Sequence, residues 1–241
     1  MKPGNKKLML FATFLSLAGC ADYGFDPVAT ISAAPNTVKP LDDASTSRLY
    51  LSVVNGLIEQ GRYRAALAYL DQYAVQERKT PYFQQLHGEA LLGTEQYEKA
   101  TSAFSDLERT DLEPDGFNGV GRVKAAQGDW AAAVDYFQRA VNVRPSSAEF
   151  LNNLGYAQLC VGGEAVPAAE FNLRQAQELD PGSTSIRNNL VIALMMVGKD
   201  DQARRLLSGI TSSREREEVQ AFAATWLKQR MHAGDTAKEE M

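Results

Sequence analysis

From residue 48 onward, apolar residues return at helical spacing in blocks separated by short polar turns. Leu49, Val53, Val54, Leu57 and Ile58 make one stripe, Gly61-Arg62-Tyr63 turns the chain, and Ala66, Leu67, Leu70 and Tyr73 face back. The next block, residues 81–113, sets Gly88, Leu91, Tyr97, Ala100, Phe104 and Leu107 in the same phase. A third, residues 114–147, turns at Gly128-Asp129-Trp130 and carries Gly121, Ala133, Phe137, Ala140 and Pro145, with Trp130 expected in the core. Near the end, Val219, Phe222, Ala223, Trp226 and Leu227 fall at i, i+3, i+4, i+7 and i+8. The pattern predicts pairs of antiparallel helices closed by one amphipathic helix over 214–230, with a disordered tail at 231–241.

The clearest repetition lies in residues 148–207. Asn152-Asn153-Leu154 superposes on Asn188-Asn189-Leu190, and Ala169 on Ala203. A helix-turn-helix unit with a period in the mid-thirties resembles the tetratricopeptide repeat (TPR). That resemblance implies an all-α, right-handed TPR superhelix of about five repeats over 48–213, sealed by the capping helix. A lone pair of helices cannot bury its apolar faces, so stacking closes the core. Small residues such as Gly155 and Ala169 permit close helix approach, and Phe137, Leu173 and Leu207 are expected to fill the space between neighbouring repeats. Asp180-Pro181-Gly182 stops a helix, because proline lacks the donor and disfavours a helical residue before it. Residues 160–167, containing Gly162 and Gly163, are two longer than the simple repeat. They form either a tolerated surface loop or a binding edge.

The N-terminus has a different grammar. Lys2, Lys6 and Lys7 precede an apolar run over 8–17, and Leu17-Ala18-Gly19-Cys20 follows. A basic start, a short apolar core and small residues before a cut site describe a secretory signal over 1–19. The core is shorter than the ~20 residues that span a bilayer. Leu17, Ala18 and Gly19 resemble a lipobox, which implies that Cys20 becomes the acylated first residue of the mature chain. Several acyl chains at about 0.8 kcal/mol per buried CH₂ anchor stably. Ala21 after the cysteine implies sorting to the outer membrane, facing the periplasm. Residues 20–47, with Pro27, Pro35 and Pro40 and no sustained period, read as a lipidated, flexible tether of about 25–30 Å reach.

Charge removes one class of partner. The chain carries −5, and loss of the three leader lysines takes it to −8. Without clustered Lys and Arg to neutralise phosphates, nucleic acid is not an expected partner. The chain has two histidines, His87 and His232, and no H-E-x-x-H, G-x-S-x-G or P-loop pattern. Cys160 reads as a buried small hydrophobe. No catalyst, metal, cofactor or small-molecule substrate is expected; the remaining role is recognition of protein.

In the TPR family the second, fifth, sixth and ninth positions of each first helix (helix A) line the inner face. Carried onto this chain they are Tyr82, Gln85 and Glu89; Asp115, Asn118 and Arg122; Glu149, Asn152, Asn153 and Tyr156; and Asn188 and Asn189. Asn118, Asn152 and Asn188 recur in register. Their amides either pair with the backbone of an extended peptide or bridge adjacent repeats. Lipobox, tether and repeats together resemble the TadD-type lipoprotein of the tight-adherence (Flp) pilus assembly system. That resemblance implies a scaffold that supports assembly of the secretin or the pilus machinery. The alternatives are a pilotin-like lipoprotein of a type IV pilus and a periplasmic adaptor for a protease or cell-wall hydrolase.

Overall fold

A computed structural model describes residues 43–76 and 79–239. The signal peptide, the lipobox residues Leu17, Ala18 and Gly19, Cys20 and the tether up to residue 42 lie outside the described residues. Within them the chain forms eleven α-helices and no strand. The first helices of successive pairs are α1 (Asp43–Glu59), α3 (Pro81–Gly93), α5 (Glu113–Ala126), α7 (Ala148–Val161) and α9 (Thr184–Met196). Their partners are α2 (Tyr63–Gln76), α4 (Tyr97–Ser105), α6 (Trp130–Val143), α8 (Val166–Leu179) and α10 (Asp200–Ser208). A final helix, α11, runs Ser213–Glu239. We call the first set helices A and the second helices B.

Local chemistry sets these boundaries in a repeating way. Thr80, Ser147, Ser183 and Ser212 each accept the N–H three residues on, at Phe83, Phe150, Ile186 and Glu215, over 3.2–3.4 Å. A hydroxyl there satisfies one of the helix's orphan donors and contributes about 1 kcal/mol. The A-to-B turns are alike as well. Gly61, Glu95, Gly128 and Gly198 hold equivalent turn positions at φ of +70°, +61°, +82° and +73°. Three are glycine, which takes the left-handed region without a Cβ penalty; Glu95 bears that penalty.

Inside each pair, a glycine on helix A receives a large side chain of helix B. A Cβ on Gly88 would stand 2.7 Å from the Phe104 ring, one on Gly121 2.7 Å from Phe137, and one on Gly155 2.6 Å from Leu173. Phe137 and Leu173 thus press on the glycine of their own repeat and also join the core of the following one, Phe137 with Phe150 and Leu154, Leu173 with Leu190 and Val191. The third residue of the next helix A also fills the space between repeats. Phe83 stacks on Tyr73 with ring centroids 5.6 Å apart, and the Arg144 guanidinium lies 5.3 Å from the Phe150 ring centre. Each fully buried Phe or Leu of this kind contributes on the order of 1.5–3 kcal/mol.

Among the described residues, helices A meet one another backbone to backbone in sequence, α1 to α3 through α9 to α11, whereas successive B helices stand farther apart and meet only through side chains, as Arg174 of α8 does with Gln202 of α10. The stack consequently curves with the A helices on the inside.

The ends of the stack depart from the apolar pattern. Leu49 and Val53 are 57% and 55% exposed, and Leu51 and Val54 take the core instead. Among the described residues no repeat precedes α1, so the two positions that a preceding repeat covers elsewhere stay open. At the other end Val219 and Ala223 are buried beneath the last pair and Trp226 packs beside them, but Phe222 is 47% exposed. The same register position is fully buried in Ala90, Val123, Ala157 and Ala193; α11 has no B helix among the described residues to cover it. α11 also continues beyond the expected 214–230 to Glu239, through Ala233, Ala237 and Lys238 with no proline to stop it. Likewise the first turn of α1 takes in residues 43–47, which the sequence reads as tether. Residues 160–167 are mostly helical: α7 ends at Val161, a single 3₁₀ turn spans Gly163–Ala165, and α8 begins at Val166. Gly162 and Gly163 supply the two positive-φ residues that this tight connection needs.

Candidate functional site

Many of the residues expected on the inner face are engaged with each other. Asn118, 4% exposed, donates to Glu149 Oε1 at 3.0 Å and accepts from Asn153 Nδ2 at 2.9 Å. One repeat on, Asn189 donates to Asn152 Oδ1 at 2.9 Å. At both seams, α5–α7 and α7–α9, the sixth residue of one helix A donates to the fifth of the helix A before it. The asparagines thus form hydrogen-bonded struts between repeats, and Asn118 is too buried to meet a peptide backbone. At Asn188 the rule stops, since the residue in register on α11 is Glu218, an acceptor held by Arg214 at 2.9 Å. The Asn188 Oδ1 is buried without a hydrogen-bond partner.

The acids of this face are unequal. Arg122 donates to Glu89 at 2.5 Å across the α3–α5 seam, and Arg144 grips Asp115 with two bonds of 3.2 and 2.9 Å. Glu149 is exposed, accepts only the Asn118 amide, and has no cation partner among the described residues.

Between these polar seams lies a cleft of about 330 Å³, lined by Leu92, Arg122, Ala125, Ala126, Trp130, Phe137, Asn153 and Tyr156. Three of its lining residues, Arg122, Asn153 and Tyr156, are among those the sequence places on the inner face; Glu89 joins them through Arg122. Tyr82, Gln85, Asn152, Asn188 and Asn189 do not line it. Leu92, Ala125 and Ala126 are additions that the sequence does not single out, and Trp130 and Phe137, which it assigns to packing, line the cleft as well. Trp130 is half-buried rather than core, and meets Tyr156 edge to face at 5.8 Å and 81°. Its place at the first residue of helix B lets it reach the late turns of the next helix A. The cleft thus has aromatic and alanine walls, an arginine on the rim and a neutral amide beside it. That is a seat for an apolar side chain with polar fixing at its edge. A larger cleft of about 540 Å³ lies at the α1–α2 turn around Arg62, Arg64 and Glu95 and takes in none of the inner-face residues.

Titratable groups elsewhere read as structural. His87 packs on Phe83 with centroids 5.6 Å apart. Its pKa lies below the ordinary value chiefly because burial disfavours the cation; Asp71 opposes this, while Lys79 and Lys99 add to it. Burial alone would raise the Glu170 carboxyl, but hydrogen bonds from Lys199 and Arg174 outweigh it and hold the group below its usual value. Cys160 is buried. Among the described residues no cluster of His, Cys, Asp and Glu is placed to hold a metal ion, and no helix is long and apolar enough to cross a membrane.

Comparison with known proteins agrees with the fold. Residues 121–162 match the family model of the TPR repeat. A TPR repeat-containing protein of Pseudomonas aeruginosa, PA4299, is 29% identical over 181 residues, covering 74% of this chain and 71% of that protein. Among solved structures, the thermophilic TPR protein TTC0263 of Thermus thermophilus superposes with a TM-score of 0.59 at 19% identity, covering 75% of this chain and 98% of that one. YrrB, described as a TPR protein with an unusual peptide-binding site, gives 0.50 at 21% identity over 75% of this chain and 90% of its own. A MamA variant gives 0.54 at 18% identity over 73% and 94%. The chain carries TPR repeats and the TPR fold.

Proposed function

We propose that this TPR-repeat protein is a protein-interaction scaffold, anchored through Cys20 to the outer membrane on its periplasmic side, that supports assembly of the secretin or other machinery of a tight-adherence (Flp) pilus. The observation that carries the interaction role is the open Trp130–Tyr156 cleft on the inner face. It is an apolar seat that the described residues leave unfilled, on the face where successive helices A meet. The anchor and the pilus setting rest on the signal-lipobox-tether order and on the resemblance of most of the mature chain to the TadD-type lipoprotein. A tether of about 25–30 Å would hold the inner face beside the inner leaflet, where a secretin subunit passes.

Two variants test the parts separately. Cys20→Ser should abolish palmitate labelling and release the protein from the membrane; labelling that survives the substitution removes the anchor from the account. Tyr156→Ala opens one wall of the cleft. It should leave helicity intact and sharply reduce co-purification of the secretin. Full recovery of the secretin by folded Tyr156→Ala would move the site off this face.

A further inference from the structure

The inner face can be read for the chemistry of what it holds; this step rests on the scaffold reading above. We propose that it recognises a partner segment in which a bulky apolar side chain is followed or preceded, about three residues away, by a lysine or arginine.

The apolar half comes from the cleft. At about 330 Å³ it sits at the small end of ligand sites and suits one side chain rather than a whole molecule. Its aromatic walls, Trp130 and Tyr156, are already arranged edge to face, which leaves ring faces and edges for a phenylalanine, methionine or leucine.

The basic half comes from the charge balance. Of the three acids placed on the inner face of α5, α7 and α3, two are neutralised inside the chain, Glu89 by Arg122 and Asp115 by Arg144. Glu149 has no cation partner among the described residues and is exposed. Among the described residues, a cation opposite Glu149 is what this face lacks. An acidic segment is disfavoured, because the one arginine in the cleft already holds Glu89, so an incoming carboxylate would compete with it and meet Glu149 as well.

The spacing comes from helix geometry. Glu149 and Tyr156 are seven residues apart on α7, so they lie on one face at a rise of about 10.5 Å. A segment in the polyproline II conformation advances about 3.1 Å per residue with three residues per turn, so side chains three apart lie on one side and span about 9.3 Å.

The test uses the full chain and four short capped peptides: Lys-Ser-Ser-Phe, its reverse Phe-Ser-Ser-Lys, Glu-Ser-Ser-Phe and Lys-Ser-Ser-Ala. The chain has two tryptophans, so its two indole N–H signals in a nitrogen–proton correlation spectrum report the cleft (Trp130) and the far end (Trp226) separately. One of the two Lys/Phe peptides should move the Trp130 signal and leave Trp226 still. It should bind roughly five- to tenfold more tightly than the Glu peptide, with the gap narrowing as salt is raised. Glu149→Gln, which keeps an acceptor for Asn118, should erase that preference and leave melting unchanged. The proposal is overturned by an unmoved Trp130 signal at millimolar peptide, by equal affinity for the Lys and Glu peptides, or by a preference that survives Glu149→Gln. Loss of secretin capture in Tyr156→Ala alongside charge-blind peptides would sink this inference and leave the scaffold reading standing. Charge-selective peptides with no secretin captured would keep the inference and remove the pilus partner.

Discussion

Asn118→Ala asks directly whether the asparagine row holds repeats together. Asn118 is almost wholly buried on α5 and makes two hydrogen bonds to α7, one given to Glu149 and one taken from Asn153. Each such bond is worth about 0.5–1.5 kcal/mol net, and truncation also strands the Asn153 amide in a half-buried site. The expected loss is about 1.5–3 kcal/mol. With a urea slope near 2 kcal/mol/M that lowers the midpoint by about 1 M; in heat it removes on the order of 2–4 °C per kcal/mol. Because repeat arrays can unfold in pieces, native-state hydrogen exchange should accompany the melt, with protection lost first at the α5–α7 seam. A cycle with Asn153→Ala isolates the shared bond, and the pair should couple by about 0.5–1.5 kcal/mol. An unchanged midpoint in Asn118→Ala, together with loss of a bound partner, would refute the strut reasoning and return the asparagines to the binding surface.

Glu95 holds a left-handed turn position that glycine fills in the other three turns, so Glu95→Gly should raise stability by about 0.5–1 kcal/mol in a denaturant melt, after glycine's own entropic cost. Gly121→Ala should destabilise by about 1–2 kcal/mol despite alanine's better helix propensity, because its methyl would press on Phe137; Phe137→Leu in the same chain should recover part of the loss. Glu170 is held below its ordinary pKa, so its contribution is complete above the unfolded carboxylate value near pH 4.3 and fades as pH falls through the lower folded value. Glu170→Gln should therefore be less stable than the parent at pH 7 and converge with it in strong acid; a constant gap down to pH 2 would contradict the Lys199 and Arg174 attribution.

How much of this is legible in the sequence depends on whether a residue's fate is decided within its own repeat. Gly121, which faces Phe137 of its own pair, and Ser147 before α7 act within one helix pair, so spacing alone reveals them. Leu49, Val53 and Phe222 keep the apolar period although nothing among the described residues covers them; periodicity records what a position is suited to meet, not whether a neighbour is present. Trp130 departs from expectation for a related reason. Its site in the repeat resembles a core position, but its ring extends to the following helix A, where Tyr156 and Asn153 happen to leave a gap. The asparagines stand out in the sequence as a row, and their use as struts appears only when the donor on one repeat is placed against the acceptor on the one before. A spacing of one between Asn152 and Asn153, repeated at Asn188 and Asn189, is the available sign, since one face position can accept while its neighbour donates.

The most direct test of the central claim, that the inner A-helix face around the Trp130–Tyr156 cleft is where a partner is held, is site-specific photocrosslinking in cells. A benzophenone amino acid would be placed in turn at Tyr156, at Tyr82 on the same face, and at Phe171, which is 61% exposed on helix B of the fourth pair. Adducts to a secretin subunit from Tyr156, weaker ones from Tyr82 and none from Phe171 are the predicted result. Adducts from Phe171 alone would contradict it and put the partner on the outer face.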